Sequence, residues 1–149
     1  MCQGGESHLE SAIFAPGQEV ITAKTALANI GLSICYDLRF PELFRQLVGA
    51  GAQLLTVPAA FTYVSGEAHW HTLLRARAIE NQCYVLAANQ CGQHHHKFKT
   101  YGHSLIIDPW GKVLVEADEQ QEGVFSAEID LDQQEQLRRF FPVLEYRLL

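Results

Sequence analysis

The residues best suited to chemistry lie in Gly31-Leu-Ser-Ile-Cys-Tyr-Asp-Leu-Arg-Phe-Pro-Glu42. Cys35 stands where the apolar run from Ile30 to Ile34 ends. A thiol becomes a nucleophile once a positive neighbour, a helix amino end or a base makes it a thiolate. The commoner fate of a free cysteine is that of a small buried hydrophobe. The charged and aromatic company at Tyr36, Asp37, Arg39 and Glu42 argues against that fate here. The run before Cys35 reads as a buried strand, and Pro41-Glu42 opens an amphipathic helix with Leu43, Phe44, Leu47 and Val48. Proline in a first helical turn loses no hydrogen bond, and a carboxylate there meets the positive helix end. Cys35 is therefore expected at a strand-to-helix turn, at the carboxyl end of a strand, where α/β folds collect ligands and nucleophiles.

The flanking sequence supplies the elements that must hold this turn. Residues 1–17 are polar and glycine-rich and end in Ala15-Pro-Gly17, so they read as a loop. Residues 18–22 suggest a short strand and residues 28–34 a firmer one. The helix from Pro41 to about Ala50 ends between Gly49 and Gly51, which suits a C-cap. Leu54-Leu-Thr-Val57, bounded by Gly51 and Pro58, is a buried parallel strand, which completes a βαβ unit. Ser65-Gly66 precedes a helix over residues 67–80, and residues 83–88 form another buried strand. Residues 90–100 read as a polar loop carrying His94, His95 and His96. Asp108-Pro-Trp-Gly111 is the turn of a hairpin between residues 104–107 and 113–116. Residues 123–129 alternate enough for a further strand. Asp130 caps a helix running to about Phe140, ahead of Pro142. The inventory is α/β.

Composition limits the function classes. At 149 residues, 48% hydrophobic and 19% charged, the chain has ordinary globular usage and fits one domain. A net charge of −6 with scattered lysines and arginines gives no basic patch, so no nucleic-acid partner is expected. No apolar run is long enough to cross a bilayer, and Met1 opens no signal-peptide pattern, so no membrane partner is expected either. Cys2, Cys35, Cys83 and Cys91 show no paired spacing, which points to reduced thiols and a cytoplasmic protein.

The stretch Cys35-Tyr-Asp-Leu-Arg-Phe-Pro-Glu42 resembles the nucleophile motif of the nitrilase superfamily, the carbon-nitrogen hydrolases. Four further stretches resemble the same family, in its order: Val57-Pro-Ala-Ala-Phe61, Gly66-Glu-Ala-His-Trp70, Leu74-Arg-Ala-Arg-Ala-Ile-Glu-Asn-Gln-Cys-Tyr-Val85, and Tyr101-Gly-His-Ser104 with Asp108-Pro-Trp-Gly111. The amidase branch, with its omega-amidases and deaminated-glutathione amidases, looks most similar. The resemblance spans nearly the whole chain and corresponds to the second half of the family's domain. It implies a single partial domain over residues 1–149, part of a four-layer αββα sandwich whose N-terminal portion is absent. It further implies a cysteine that attacks an amide carbonyl of a small carboxylate-bearing substrate, expels ammonia and leaves a thioester for water to hydrolyse, without a cofactor. A homo-oligomer is the expected assembly.

By the same resemblance, a glutamate base, a lysine and a second glutamate surround the cysteine. Glu10-Ser11 before Pro16-Gly17 matches the second glutamate's motif, and Glu6-Ser7 lies too far from Pro16. The first glutamate and the lysine fall upstream of Met1. Lys24, Lys97, Lys99 and Lys112 match no motif position and read as solvated. The lysine and the backbone N–H after the cysteine hold the oxyanion, and here that N–H is Tyr36's. Arg39 has two readings, a ligand for a substrate carboxylate or a brace for the turn. Phe61, Thr62 and His69 look like a substrate-lining loop, as does Trp70, although plain core packing competes for Phe61 and Trp70. Arg75, Arg77 and Glu80 read as charges on a helix surface or interface. Cys91 with His94, His95 and His96 offers zinc-type donors without a closed spacing, and a polar loop explains them, so no metal is expected. His103 is a partner for Cys35 only if the fold brings the two together. An alternative to the enzyme is an inactive truncated member that keeps a structural or dimerising half-domain. In either case apolar strand faces left uncovered favour self-association or poor solubility.

Overall fold

In the computed structural model, which describes residues 13–94 and 98–148, the chain enters its main sheet through β1 (Thr22–Lys24). This strand runs antiparallel to β2 (Asn29–Leu32), with Thr22 opposite Gly31. A 3-10 turn (Cys35–Arg39) and α1 (Pro41–Gly49) then lead to β3 (Leu54–Thr56), parallel to β2. The second crossover is α2 (Tyr63–Asn81), which returns to β4 (Tyr84–Ala87), parallel to β3. β5 (Cys91–His94) and β6 (Phe98–Tyr101) form a separate antiparallel pair. β7 (Leu105–Ile107) and β8 (Val113–Glu116) close the main sheet in the order β1-β2-β3-β4-β7-β8. α3 (Leu131–Phe140) follows, with the Asp130 carboxylate accepting the Gln133 N–H at 2.8 Å as the expected N-cap.

Two consecutive crossovers, taken in the same direction across neighbouring parallel strands, place α1 and α2 on the same face of the sheet, where both pack into one core. The register explains which residues that face buries. Gly31, Leu55, Val85 and Ile107 lie opposite one another across four strands. Leu55, Val85 and Ile107 are buried with Phe44, Leu47, Trp70 and Leu74 from the helices. Gly31 leaves room for α1, because a Cβ there would sit 3.0–3.2 Å from Leu55, Ala52 and Leu47. The alternate row, Leu32, Thr56, Leu86 and Ile106, points to the opposite face. That face is largely open: Leu32 is 42% exposed, and a groove of about 410 Å³ runs between Thr56, Pro58, Leu86, Ile106 and Phe125. One helical layer on one sheet, with a second sheet face uncovered, is part of an αββα sandwich.

Four expectations are corrected. The first strand lies at Thr22–Lys24 instead of 18–22, where it pairs with β2. The helix expected from residue 67 begins at Tyr63 and runs straight through Gly66. Gly66 is there for close approach rather than as a break, since a Cβ would fall 2.3 Å from the Tyr101 Cβ. Residues 90–100, expected as a loop, contain the β5–β6 pair; its strands are mostly polar, and only Thr100 and Tyr101 are buried. Residues 123–129 form no strand, because no described strand lies beside them, and Val124 is 98% exposed.

Gly66→Ala tests the α2–β6 contact. Alanine's helix propensity favours the change by about 1 kcal/mol, whereas overpacking costs about 1–3 kcal/mol. A backbone-rigid clash with Tyr101 should win, so the variant is expected to unfold at lower urea than wild type.

Candidate active site

The segments that follow β2 and β3 are zipped together at their carboxyl ends. The Ser33 N–H and hydroxyl both donate to the Thr56 carbonyl, at 3.2 and 2.8 Å, and the Cys35 N–H donates to the Pro58 carbonyl at 2.8 Å. Cys35 thus sits where the sequence places it, at the end of a parallel strand, with a 3-10 turn interposed before α1. Its φ is +46°, a left-handed conformation that costs a non-glycine residue about 1–2 kcal/mol. The turn is held by Asp37, whose carboxylate accepts the Ile34 N–H at 2.8 Å while its own N–H donates to the Ile34 carbonyl at 2.9 Å. Between these two bonded amides, the Tyr36 N–H has no hydrogen-bond partner among the described residues. The Cys35 side chain is half-buried against the core, and no described side chain is hydrogen-bonded to its Sγ.

Behind the turn stands Arg77, which is only 4% exposed and not a surface charge. Its Nε and Nη2 donate to the Leu38 carbonyl at 3.1 and 2.7 Å, and Nη1 pairs with the Glu80 carboxylate at 2.9 Å. The guanidinium also lies 5.3 Å from the centre of the Phe44 ring. One residue of α2 therefore fixes both the 3-10 turn and the start of α1. Sequence reading missed it because a charged residue on a helix is usually solvated; the signal available was its place on the same helical face as Leu74, Ala78 and Asn81, all buried.

In front of the turn, Arg39 lies across two rings, its guanidinium carbon 5.2 Å from the centre of Tyr36 and 5.3 Å from that of Phe61. Its Nη1 is 3.3 Å from His69 Nδ1. The structure therefore brings Tyr36, Phe61 and His69 together around Arg39, at the other end of the turn that Cys35 opens. Among the described residues Arg39 has no carboxylate partner, which leaves the bracing reading unsupported. Phe61 serves both of its readings, since it is buried against Trp70 at 4.8 Å between ring centres and also underlies Arg39. Thr62 is exposed at the start of α2 with its hydroxyl 2.8 Å from that of Ser65, outside this group of contacts. Asn89, which sequence reading did not single out, places the Phe61 loop: its Oδ1 accepts the Phe61 N–H at 2.9 Å and its Nδ2 donates to the Gly102 carbonyl at 2.7 Å.

Other candidates lie elsewhere. Glu10, His95, His96 and Lys97 are outside the described residues. His94 Nε2 is 2.8 Å from the Thr100 hydroxyl. Lys24 and Lys112 are exposed, as expected, but Lys99 is engaged, 3.9 Å from the centre of the Tyr63 ring and 3.4 Å from Glu119. His103 does not partner Cys35. Its Nδ1 is 2.7 Å from Glu116 Oε1, and the same oxygen is 2.8 Å from His71 Nε2. Burial alone would raise the Glu116 carboxyl, but the hydrogen bonds from His71 and His103 hold it below the usual carboxylate range.

A half-buried thiol on a left-handed turn between a parallel strand and a helix defines the class of α/β folds that display a nucleophile on a strained bend. The chain belongs to the carbon-nitrogen hydrolase family, whose profile matches residues 3–139. It is 52% identical over 145 residues to the deaminated glutathione amidase of Bos taurus, covering 97% of this chain and 44% of that protein. The chain thus spans less than half the length of that relative. Among solved structures, the Caenorhabditis elegans NitFhit protein superposes with a TM-score of 0.88 at 47% identity, over 99% of this chain and 36% of that one. An amidase from Nesterenkonia sp. AN1, solved after Michael addition of acrylamide at its active-site cysteine, matches with a TM-score of 0.67 at 33% identity, over 74% of this chain and 43% of that one.

Two measurements check this geometry. Arg77→Ala should lower unfolding stability by about 3 kcal/mol, since it strands the Leu38 carbonyl and the Glu80 carboxylate. Arg77→Lys should recover less than half of that, because a single ammonium cannot reproduce the forked grip. Alkylation by iodoacetamide near neutral pH, followed by peptide mass mapping, should modify half-buried Cys35 well before Cys83. Burial pushes the Cys83 thiol up to about 11, against an opposing pull from Arg138.

Proposed function

We propose that this chain carries the nucleophile of a carbon-nitrogen hydrolase that cleaves the amide of a small carboxylate-bearing compound and releases ammonia. The observation that carries the reading is Cys35 at its left-handed turn with the unpartnered Tyr36 N–H beside it. The Cys35 thiolate adds to the amide carbonyl carbon, and the Tyr36 N–H donates to the oxygen that gains the charge. Collapse of this adduct breaks the C–N bond, the nitrogen takes a proton and leaves as ammonia, and a thioester remains. Water then adds to the thioester carbonyl, and loss of the thiol yields the carboxylate product. Glu10 is the carboxylate of this chain assigned to orient and exchange the protons.

The Arg39 guanidinium, flanked by His69 and lying over the Phe61 ring, is the group proposed to take the substrate's carboxylate, while Thr62, exposed at the start of α2, lies outside that group of contacts. Deaminated glutathione, the substrate in the bovine relative's name, carries amides and carboxylates on one small molecule; its amides are secondary, so the same thioester chemistry there would expel an amine, where a primary omega-amide expels ammonia. Free thiols at Cys35, Cys83 and Cys91 support a cytoplasmic setting, and the open row Leu32, Thr56, Leu86 and Ile106 supports assembly with further chain. A second reading, a member that folds without turning over, is favoured by the lack of any described base or amine hydrogen-bonded to Cys35 Sγ.

Ammonia release from omega-amides of small keto acids decides between them, comparing the 149-residue chain with Cys35→Ala. Release that disappears in the variant is the expected result. Release that persists in Cys35→Ala overturns the assignment of the nucleophile, and no release from a folded chain establishes the second reading. Arg39→Gln should raise KM at least about tenfold with little change in kcat if it only holds the carboxylate.

A further inference from the structure

We propose that His71, His103 and Glu116 form a binding site for a divalent cation of the zinc and cobalt class. The three side chains come from three different elements: α2, the turn between β6 and β7, and the end of β8. Their donor atoms lie within 4.8 Å of one another, and both imidazole nitrogens converge on the single oxygen Glu116 Oε1, at 2.8 and 2.7 Å. A tetrahedral zinc ion binds imidazole nitrogen and carboxylate oxygen at about 2.0–2.2 Å, which sets its donors about 3.3 Å apart. The two nitrogen–oxygen separations need to open by only about 0.5 Å to admit the ion. Each imidazole then carries its proton on the nitrogen that faces away, and three coordinate bonds replace two hydrogen bonds.

The donor set suits such an ion. Two imidazoles and one carboxylate are the ligands of zinc sites that keep a fourth position open for water. The side chains of His71, His103 and Glu116 are 33%, 23% and 33% exposed, so that position faces solvent. The outer shell is also built. The Trp70 indole N–H donates to the His103 carbonyl at 2.8 Å, and the His103 ring lies 4.4 Å from that of Tyr101 between centres. The His71 ring meets both Tyr101 and His103 edge-on, at 5.9 and 5.3 Å. His103 holds a φ of +54°, an uncommon conformation for a residue with a side chain, and its ring is aimed at Glu116 from there.

This site is separate from the Arg39 group. His69 and His71 are two residues apart on α2, so their side chains leave the helix in nearly opposite directions. His69 meets Arg39, and His71 meets the β8 strand. The cation would clasp α2 to β8 and to the β6–β7 turn, and its free energy of binding would add to folding stability.

Cobalt(II) reports coordination through its visible absorption, and zinc(II) competes with it. Titration of the 149-residue chain with cobalt should saturate at one ion per chain, with the intense visible bands of a low-coordinate site. Zinc should displace it and raise the Tm. His71→Gln and Glu116→Gln should each weaken binding at least about tenfold, judged on variants whose far-UV circular dichroism matches wild type. His94→Gln should leave binding unchanged. If Glu116→Gln fails to fold, His71→Gln decides, since it lies half-exposed on a helix surface. The proposal is overturned if no saturable cobalt binding occurs, so that the trio is a hydrogen-bonded brace only. It is equally overturned if binding survives His71→Gln or is lost in His94→Gln, which would place the ion at the polar hairpin.

Discussion

The grip of Arg77 on the Leu38 carbonyl is the constraint on which the rest of the site depends. Two guanidinium nitrogens hold one backbone oxygen inside a nearly closed environment, and the remaining nitrogen is neutralised by Glu80. A buried cation is tolerated only when its donors are matched in this way. The match joins the C-terminal part of α2 to the far end of the 3-10 turn. A turn fixed at Leu38 from behind and at Asp37 from within has little freedom left, and Cys35 at its amino end is held in the left-handed region. Local strain of this kind persists where surrounding contacts over-determine the backbone.

In front of the turn, the interactions are softer. Arg39 rests on aromatic faces and a histidine nitrogen and is not closed off by a carboxylate. The two arginines thus differ by their partners: Arg77 is buried and bonded through all three of its nitrogens, whereas Arg39 lies on aromatic faces beside a histidine. Asn89 ties the Phe61 loop to Gly102 through both ends of its amide. Cys35, Tyr36, Arg39, Phe61 and Asn89 lie on the segments that follow the carboxyl ends of β2, β3 and β4, where parallel strands present their loops, and His69 lies on α2.

Much of this was legible in the sequence. The run before Cys35, the Pro41-Glu42 helix start and the Asp130 cap each have a local cause, so they could be read without tertiary knowledge. The family could be read as well, since its motifs are contiguous. What escaped reading depends on contacts between distant residues. Gly66 looks like a breaker until Tyr101 is seen against it, and the β5–β6 pair lacks apolar alternation because only Thr100 and Tyr101 of its residues are buried. Arg77 looks solvated until Leu38 supplies its acceptor, and the His71–Glu116–His103 group joins residues up to 45 apart in sequence. Residues 123–129 mislead in the opposite sense, because alternation makes a strand only where a neighbouring strand is available to pair.

The contact between Gly66 and Tyr101 also limits how this sequence can change over time. A helix glycine is ordinarily free to drift toward alanine, which the helix prefers. Here the Tyr101 Cβ, with the ring behind it, occupies the volume that any side chain at residue 66 would need. Because the nearest clash is with the Tyr101 Cβ, at 2.3 Å, a smaller side chain at 101 does not make room, and residue 66 can grow only beside a glycine or after the two backbones move apart. The pair therefore behaves as a single inherited unit spanning α2 and β6, and its constraint is set by how closely the two backbones approach.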